Sequence, residues 1–527
     1  MDDQQLWIEA EFFVPSSDAS SSSPMALPPE GADEALIQQL HDLKNQFSDI
    51  HPATFSAARK IANPCESLGV GPCNFVCRSA MKLLNIDFAL GGFVERARQR
   101  SQMNIAASIA SGQSSASLRD VQDTRAPALT FVDLCGAPGG FSEYLLWRAE
   151  RLQQPAAGWG ISLTESNGQG LPCEWKISGD GNDRCASSNV NDTVMPSFMK
   201  ICRGADGTGD LYSAANIKHF ADQVMAESAS INATSGGGGG VHLVVADGGF
   251  QAARDQHDQE ACLSRLVVSE VLAAVLVLRP GGSLLLKLFE THSSFMRSFL
   301  ATLLLLPRRP PPPPPPPREK SGHAIAADVG TVRRRSGFRR MSIVKPVTSR
   351  PASSERYLIC EDFVWDSVGH AAAVADLWTL HEALRLDQHF SGAQCVREMT
   401  KGSVPGTCLV DAEGRSFDSY LRRVNNDLLT AQIEACSSLL GCIEEQGNSD
   451  GKDDVCQERE RKRKRSLSSS ERWRRCVLNC WGMAEIEEES SPKDPRIEIQ
   501  CEGGLANQGE ELLQLGLPLS FGNRRGR

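Results

Sequence analysis

The sequence predicts an α/β fold: a Rossmann-like core with helical extensions and disordered inserts. Three observations predict it. Short apolar runs alternate with helix-length stretches from Leu129 to Cys360, the pattern of a mostly parallel sheet with helices on both faces. Thr130-Phe131-Val132-Asp133-Leu134 passes straight into Cys135-Gly136-Ala137-Pro138-Gly139-Gly140-Phe141-Ser142, which reads as a strand, a tight loop and a helix N-terminus. Glycine turns follow later runs, at Asp247-Gly248-Gly249 and Pro280-Gly281-Gly282.

Residues 1–32 are rich in Ser, Pro and acid and are expected to form a disordered tail. Leu36, Ile37, Leu40 and Leu43 recur at helical spacing, so a helix is expected over 34–47 and a second over 75–84. The core then runs as strand 129–134, helix 141–148 and strand 159–163. It continues with strand 241–246, helix 263–278, strand 283–288 and helix 295–306. Strands at 341–344 and 356–360 close a domain expected to span 33–362, with inserts at about 165–209 and 307–340. A helical extension over 363–483 carries the basic run Arg461-Lys462-Arg463-Lys464-Arg465, and 484–527 reads as a disordered tail.

The 55 Lys and Arg against 65 Asp and Glu give a net charge of −10. That excludes a protein that coats nucleic acid non-specifically, but leaves room for a local basic groove. The acidic start lacks the pattern of a signal peptide, and no run of about 20 apolar residues suggests a membrane span. An odd count of 17 scattered cysteines points to free thiols in cytosol or nucleus. The insert with Pro310 to Pro317, Arg333-Arg334-Arg335 and Arg339-Arg340 is either a loop expansion or an RNA-phosphate or SH3-type contact. The basic run at 461–465 is either a nuclear localisation signal or a solvated linker.

The glycine loop has no lysine followed by serine or threonine, so it is not a phosphate-gripping loop. It suits a cofactor with an adenosine and an amino-acid end, such as S-adenosylmethionine. Four charged residues stand near where such a fold gathers ligands, outside the C-terminal strand ends. Asp247 ends one predicted strand, Lys287 lies inside the next, and Glu355 enters the last. Lys82 sits ahead of the glycine loop, in Arg78-Ser79-Ala80-Met81-Lys82. An ammonium within Leu284-Leu285-Leu286-Lys287-Leu288-Phe289 is costly without a carboxylate partner or a lowered pKa.

This set suits methyl transfer to a ribose hydroxyl, a poor nucleophile until a base takes or orients its proton. Lys287 is the expected base and Lys82 the neighbouring cation. Asp247 is expected to hold the lysines and face the cofactor's sulfonium. Glu355 is expected to fix Lys287.

Several segments together carry a resemblance. They are Ala62-Asn63-Pro64, Arg78 to Lys82, Cys135 to Tyr144, Ala246-Asp247-Gly248-Gly249-Phe250, and Lys345-Pro346-Val347-Thr348-Ser349-Arg350-Pro351-Ala352-Ser353-Ser354-Glu355-Arg356-Tyr357. Phe417-Asp418-Ser419-Tyr420-Leu421 and Cys480-Trp481-Gly482 extend them. In these the chain resembles the cap-specific messenger-RNA 2′-O-ribose methyltransferases of the RrmJ/FtsJ-like superfamily, those of the first transcribed nucleotide, over about 38–482.

The resemblance implies a methyltransferase core, S-adenosylmethionine as donor, a capped RNA 5′ end as substrate and no metal. It implies Lys82, Asp247 and Lys287 as the catalytic set, with Glu355. Cys77, Cys135, Gly136, Ala137, Pro138, Gly139, Gly140, Phe141 and Asp210 are implied near the cofactor. Lys44, Asn45, Gln46, Phe47, Ser48, Arg59, His257 and Ser353 are implied against the cap or RNA. Cys77 and His257 stand where the family usually carries Asn. Transcription or capping machinery is the implied partner, and the nucleus, with the cytoplasm as alternative, the implied place. A 2′-O-methyltransferase of another RNA, or a non-catalytic RNA-binding scaffold on this fold, are the competing readings.

Overall fold

Strands buried on both faces read as continuous apolar runs, because each face meets its own layer of helices. Leu129–Leu134 illustrates this. Phe131 enters one core cluster with Leu84, Phe141, Leu145 and Leu285. Val132 and Leu134 enter the opposite one with Val268, Leu272, Leu300 and Leu380. The computed structural model describes residues 8–13, 31–63, 75–110, 128–164, 174–177, 197–232, 239–249, 259–304, 337–364, 367–386 and 415–447.

The strands are β1 (Ile8–Phe13), β2 (Leu129–Leu134), β3 (Ala156–Ile161), β4 (Phe198–Cys202), β5 (Val241–Ala246), β6 (Leu278–Leu288), β7 (Gly337–Lys345) and β8 (Arg356–Val364). The helices are α1 (Glu34–Asn45), α2 (Pro52–Ala62), α3 (Ser79–Ala89), α4 (Phe93–Ala110), α5 (Gly140–Arg151), α6 (Ala214–Asn232), α7 (Gln259–Val277), α8 (Ser294–Leu303), α9 (Ser367–Leu386) and α10 (Phe417–Gly447).

One eight-stranded sheet runs in the order β1-β7-β8-β6-β5-β2-β3-β4. Strands β4, β3, β2, β5 and β6 are parallel neighbours, whereas β8, β7 and β1 add antiparallel pairs. From β2 the chain builds outward to β3 and β4, then returns to place β5 on the other side of β2. The order therefore reverses between β2 and β5, and the crevice opens at their C-terminal ends. A third, smaller cluster joins α1, α2 and α10 through Leu40, Phe47, Ala58, Leu429, Ile433 and Leu439. Among the described residues, no helix is long and apolar enough to cross a membrane.

Several boundaries differ from the sequence expectation. The tail expected to be disordered contributes β1, paired antiparallel to β7 from Ile8↔Lys345 to Phe13↔Arg340. Composition does not reveal a strand whose stability comes from a partner more than 300 residues away. Strand β3 is Ala156–Ile161 rather than 159–163, because it pairs in step with β2 from Leu129↔Ala156. Its Ala-Ala-Gly start has low strand propensity. The insert at 165–209 contains β4, and the helix α6 behind it was not anticipated.

Strand β7 begins at Gly337, inside the span expected to be an insert. Pro280-Gly281-Gly282 does not separate a helix from a later strand. β6 already starts at Leu278 and shifts register there, pairing Val241↔Leu278 and then Leu243↔Ser283. Pro310 to Pro317, Arg333 to Arg335, the 461–465 run, Cys480-Trp481-Gly482 and the 484–527 tail lie outside the described residues.

Candidate functional site

The glycine loop is shaped by one buried acid. Asp133 is 0% exposed, and its Oδ2 accepts from the Ser142 backbone N–H at 3.2 Å and hydroxyl at 2.6 Å. The carboxylate therefore ties the end of β2 to the first turn of α5. Burial raises its pKa to about 7, although the Ser142 hydrogen bonds work the other way. A Cβ on Gly136 would sit 2.2 Å from Asp133 Oδ1, so the loop can only fold tightly over this acid without a side chain there. Gly139 has φ 108° and lies against Ile177 and Trp175. Gly140 backs onto Cys77 and Ser79, and the Cys77 Sγ lies 2.8 Å from the Ser79 Oγ. Pro138 accepts from the Lys176 backbone N–H at 3.1 Å.

Lys82, Asp247, Lys287 and Glu355 come together over the strand ends, but their pairing differs from the sequence expectation. Glu355 binds Lys82, not Lys287: the Lys82 Nζ lies 2.8 and 2.9 Å from its two oxygens. Asp247 binds Lys287, whose Nζ donates to the Asp247 backbone carbonyl at 2.6 Å and lies 3.2 Å from Oδ1. The Tyr357 hydroxyl, with Asp247 Oδ1 at 3.0 Å and Glu355 Oε1 at 3.2 Å, stands between the pairs. Tyr357 is the register partner of Lys287 across β8 and β6. Sequence alone offers no spacing that pairs charges from four separate elements.

Each side chain is fixed from behind. Lys82 is on α3, which is tied to α5 by the Tyr144 hydroxyl on Asp87 at 2.6 Å. It is tied to the loop before β8 by Arg78 on the Thr348 carbonyl at 3.0 Å. Glu355 also accepts from the Ser349 hydroxyl at 2.9 Å. The buried Lys345 Nζ donates to the Ser353 and Glu355 carbonyls at 2.6 and 2.8 Å, clamping that loop.

The charges follow from this packing. Burial alone would raise the Glu355 pKa, but the Lys82 and Lys287 ammonium groups hold it well below the usual carboxylate range. Burial works against the Lys82 charge, but Glu355 and Asp247 outweigh it and its pKa is raised. Lys345 is brought down to about 7 by burial and by nearby Arg356 and Lys82, with Glu355 opposing.

The other expected site residues divide into two groups. Cys135, with φ 53°, is at the mouth of the glycine loop, and burial pushes its thiol pKa well up. Ala137 lies in the same turn. Asp210 is half-buried beyond β4, its Oδ1 accepting from the Tyr212 N–H at 2.8 Å. Arg59 is half-buried on α2, and Asn45 ends α1. Ser353 caps Glu355, its Oγ accepting from the Glu355 N–H at 3.1 Å.

Three other side chains are buried or turned inward. Phe141 is 1% exposed and lies beneath the site, its ring 6.1 Å from that of Tyr357. Phe47 is 4% exposed and meets Phe55 edge-on at 5.5 Å, in the cluster with α10. Lys44 turns inward, donating to the Ser354 hydroxyl at 3.2 Å and lying 3.9 Å from Glu290. Gln46 and Ser48 bond back onto α1 through Asp42 and Asn45. His257 lies outside the described residues. Tyr357, Ser349, Lys345 and Glu270 were not singled out from sequence. The first three lie in the Lys345-to-Tyr357 segment, but nothing in it distinguishes which side chains turn inward.

Known proteins resemble this chain in sequence. Residues 75–305 match the FtsJ-like methyltransferase family model, a span holding Lys82, Asp247 and Lys287 but ending before Glu355. Cap-specific mRNA (nucleoside-2′-O-)-methyltransferase 1 of Danio rerio is 28% identical over 332 residues, 63% of this chain and 31% of that protein. The Homo sapiens protein of that name is 28% identical over 329 residues, 62% of this chain and 30% of its own. That of Dictyostelium discoideum is 25% identical over 347 residues, 62% and 34%. The chain thus spans about a third of the length of these relatives. A ribosomal RNA methyltransferase structure from Plasmodium falciparum overlays with a TM-score of 0.24 at 10% identity, over 46% of this chain and 89% of that one, too loosely to carry an argument. Over residues 75–305 the chain is therefore similar to the FtsJ-like methyltransferase family.

Proposed function

We propose that the chain transfers a methyl group from S-adenosylmethionine to the ribose 2′-oxygen of the first transcribed nucleotide of 7-methylguanosine-capped mRNA. The observation that carries the reading is how Lys287 is held. Asp247 offers two acceptors to Lys287, its carbonyl and Oδ1. The Nζ is thereby fixed at the strand ends beside Asp247, where a substrate hydroxyl can be presented to it. The relatives' shared name supports the choice of capped mRNA and of the first nucleotide.

The residues fit a cationic cofactor. Asp247 directly follows β5, Asp210 lies in the loop between β4 and α6, and Glu270 is buried beside Cys135. The glycine loop lacks the lysine of a phosphate site. Acid at the crevice floor repels phosphate and favours a sulfonium. S-adenosylmethionine, when bound, supplies an electrophilic methyl on a sulfonium that departs as a neutral thioether.

The chain's own residues do the rest. Lys287 Nζ accepts the proton of the ribose hydroxyl as the oxygen–carbon bond forms, and Asp247 stabilises the ammonium that results. Lys82, fixed by Glu355, stays cationic and orients the hydroxyl by donating to its oxygen. Tyr357 and Ser349 hold the two carboxylates apart in fixed positions. Positioning of this kind supplies most of what a direct displacement needs.

The test is methyl transfer from radiolabelled S-adenosylmethionine to two matched short RNAs, one with a 7-methylguanosine cap and one with a 5′ triphosphate, followed by nuclease mapping. Label on the 2′-oxygen of the first nucleotide of the capped RNA alone is expected. Label on both RNAs, or at internal positions, points to another RNA target and overturns the cap reading.

A further inference from the structure

Behind the two lysine–acid pairs lies a third carboxylate that the reaction above does not use. Glu270 is on α7, within an otherwise apolar face formed by Val267, Val271 and Ala274. It is only 1% exposed. Its side chain reaches the point where the strand order reverses. Cys135 of the glycine loop and the backbone of Gly248, next to Asp247, both help to hold its charge, and Lys287 attracts it. A Cβ on Gly248 would lie 2.2 Å from Glu270 Oε1, so this turn needs glycine in order to fold over the carboxylate. Yet Oε1 has no hydrogen-bond partner among the described residues.

A carboxyl oxygen buried without a hydrogen-bond partner is expensive, more so once the group is ionised. Hydrophobic residues fill every neighbouring turn of α7 toward the sheet, so a leucine or methionine would pack there at no such cost. The charged groups facing Glu270 are Lys287 from β6 and Asp247 from the turn after β5, with the Cys135 thiol after β2 and the Tyr212 phenol after β4 close by. Lys287 is already engaged by both acceptors of Asp247. Through Cys135 the carboxyl also meets the glycine loop.

We propose that Glu270 reads the positive charge of the methyl donor, favouring the sulfonium of S-adenosylmethionine over the neutral sulfur of the product S-adenosylhomocysteine. The inference rests on the methyl-transfer reading above. Charge is what changes between donor and product: the sulfonium loses its charge as the methyl leaves, and a proton arrives on Lys287. A buried acid close to both places loses one cationic neighbour and gains another. The spent cofactor is thereby held less tightly than the donor. Burial raises the Glu270 pKa to about 8 despite Lys287, so a cation entering beside it draws the group into its ionised form.

The experiment is calorimetric binding of S-adenosylmethionine and of S-adenosylhomocysteine to the full chain and to Glu270→Gln, at pH about 8. Gln keeps the volume and an acceptor for the Gly248 backbone while removing the charge. E270Q is expected to weaken donor binding about tenfold and product binding less than threefold, the scale of one partly screened charge pair. Equal losses for both molecules overturn the proposal, because they mean that Glu270 acts on a group the two share, such as the amino-acid end. No change in either overturns it as well.

If E270Q binds neither molecule, Glu270→Asp decides. It keeps the charge one methylene shorter, and must show the wild-type preference for donor over product. An Asp variant that binds both equally sinks the idea. Failure of the wild-type chain to bind either molecule would instead remove the underlying methyl-transfer reading.

Discussion

Lys82–Glu355 and Lys287–Asp247 are chemically the same pair, yet the fold treats them differently. Lys82 meets both oxygens of Glu355, and Glu355 is further held by Ser349 and Tyr357. Both members are pushed toward their charged forms, Lys82 upward and Glu355 downward. Lys287 instead rests on a backbone carbonyl and a single carboxylate oxygen. A carbonyl accepts a hydrogen bond from a lysine in either protonation state, whereas a carboxylate on both sides would lock the ammonium. One pair is a fixed charge held at both carboxylate oxygens, and the other gives its lysine a single carboxylate oxygen and a backbone carbonyl, as the proposed base requires. The same two residue types thus serve opposite ends according to what else they touch.

The sharpest way to break that comparison is to swap lysine for arginine on each side. Arg keeps a positive charge but cannot act as a base at any accessible pH. Lys287→Arg should lose methyl transfer as completely as Lys287→Ala, by about 10²–10⁴-fold, the usual worth of general-base catalysis. Lys82→Arg should keep activity within about tenfold, because Arg still supplies a cation to Glu355. Single-turnover rates on capped RNA measure both. Equal loss in the two Arg variants would erase the distinction between a fixed charge and a base.

The next effect is on stability. Glu355→Gln leaves Lys82 buried without its ion partner, and should cost about 3 kcal/mol at neutral pH. The sign of the pH dependence follows from the shifts. The folded Glu355 pKa lies below its ordinary 4.5, so its contribution is present above that value and fades as pH falls. The folded Lys82 pKa lies above its ordinary 10.5, so its contribution is present below that value and fades as pH rises through the raised one. Denaturant melts of wild type and E355Q should therefore differ most between about pH 4.5 and 10.5, and converge in acid. A constant gap down to low pH would mean that shape, not charge, explains the loss.

The glycine loop allows a test of intermediate size on the cofactor side. Gly139 holds φ 108°, and a Cβ there would come within 2.8 Å of Ile177. Gly139→Ala should therefore cost about 1–3 kcal/mol of local strain, read as about a tenfold or greater loss of S-adenosylhomocysteine affinity in calorimetry. Unaltered affinity would show that the loop can reshape, and that its conformation is not what binds.

The two sides of the site also differ in how far sequence reveals them. The glycine loop was legible because its residues are contiguous and backbone conformation dictates them: β2 and β5 fall at the expected 129–134 and 241–246. The four charged residues could be nominated singly, since a lysine inside Leu284 to Phe289 or an acid after a strand stands out locally. Their pairing could not, because it depends on β8 lying antiparallel beside β6. Glu270 was visible only as a charge interrupting an apolar run. Strand β1 and the segment around Trp175 were hidden in polar stretches, since their partners are remote in sequence. Phe47 and Lys44 sit in a segment that suggests a surface, but α10 packs over it from more than 370 residues away.

Lys44 gives the smallest effect and the finest test of the substrate side. Resemblance alone makes it a contact to the cap or RNA, but its ammonium is spent inside the protein, on Ser354 and toward Glu290. Ser354 in turn donates to Glu290 at 3.3 Å, directly before Glu355 in the chain. Burial lowers the Lys44 pKa, with Glu290 opposing, which fits a cation used as an internal tie. Lys44→Met keeps the stem and removes the charge. As a tie it should lower stability by about 1 kcal/mol, or about 2–4 °C in Tm, and change KM for capped RNA by less than about threefold. A direct RNA contact predicts the reverse: an unchanged Tm, a large rise in KM, and a flatter dependence of log affinity on log salt by nearly one unit. The internal position of Lys44 favours the first outcome, and with it a view of α1 as the element that braces the Glu355 loop from outside the sheet.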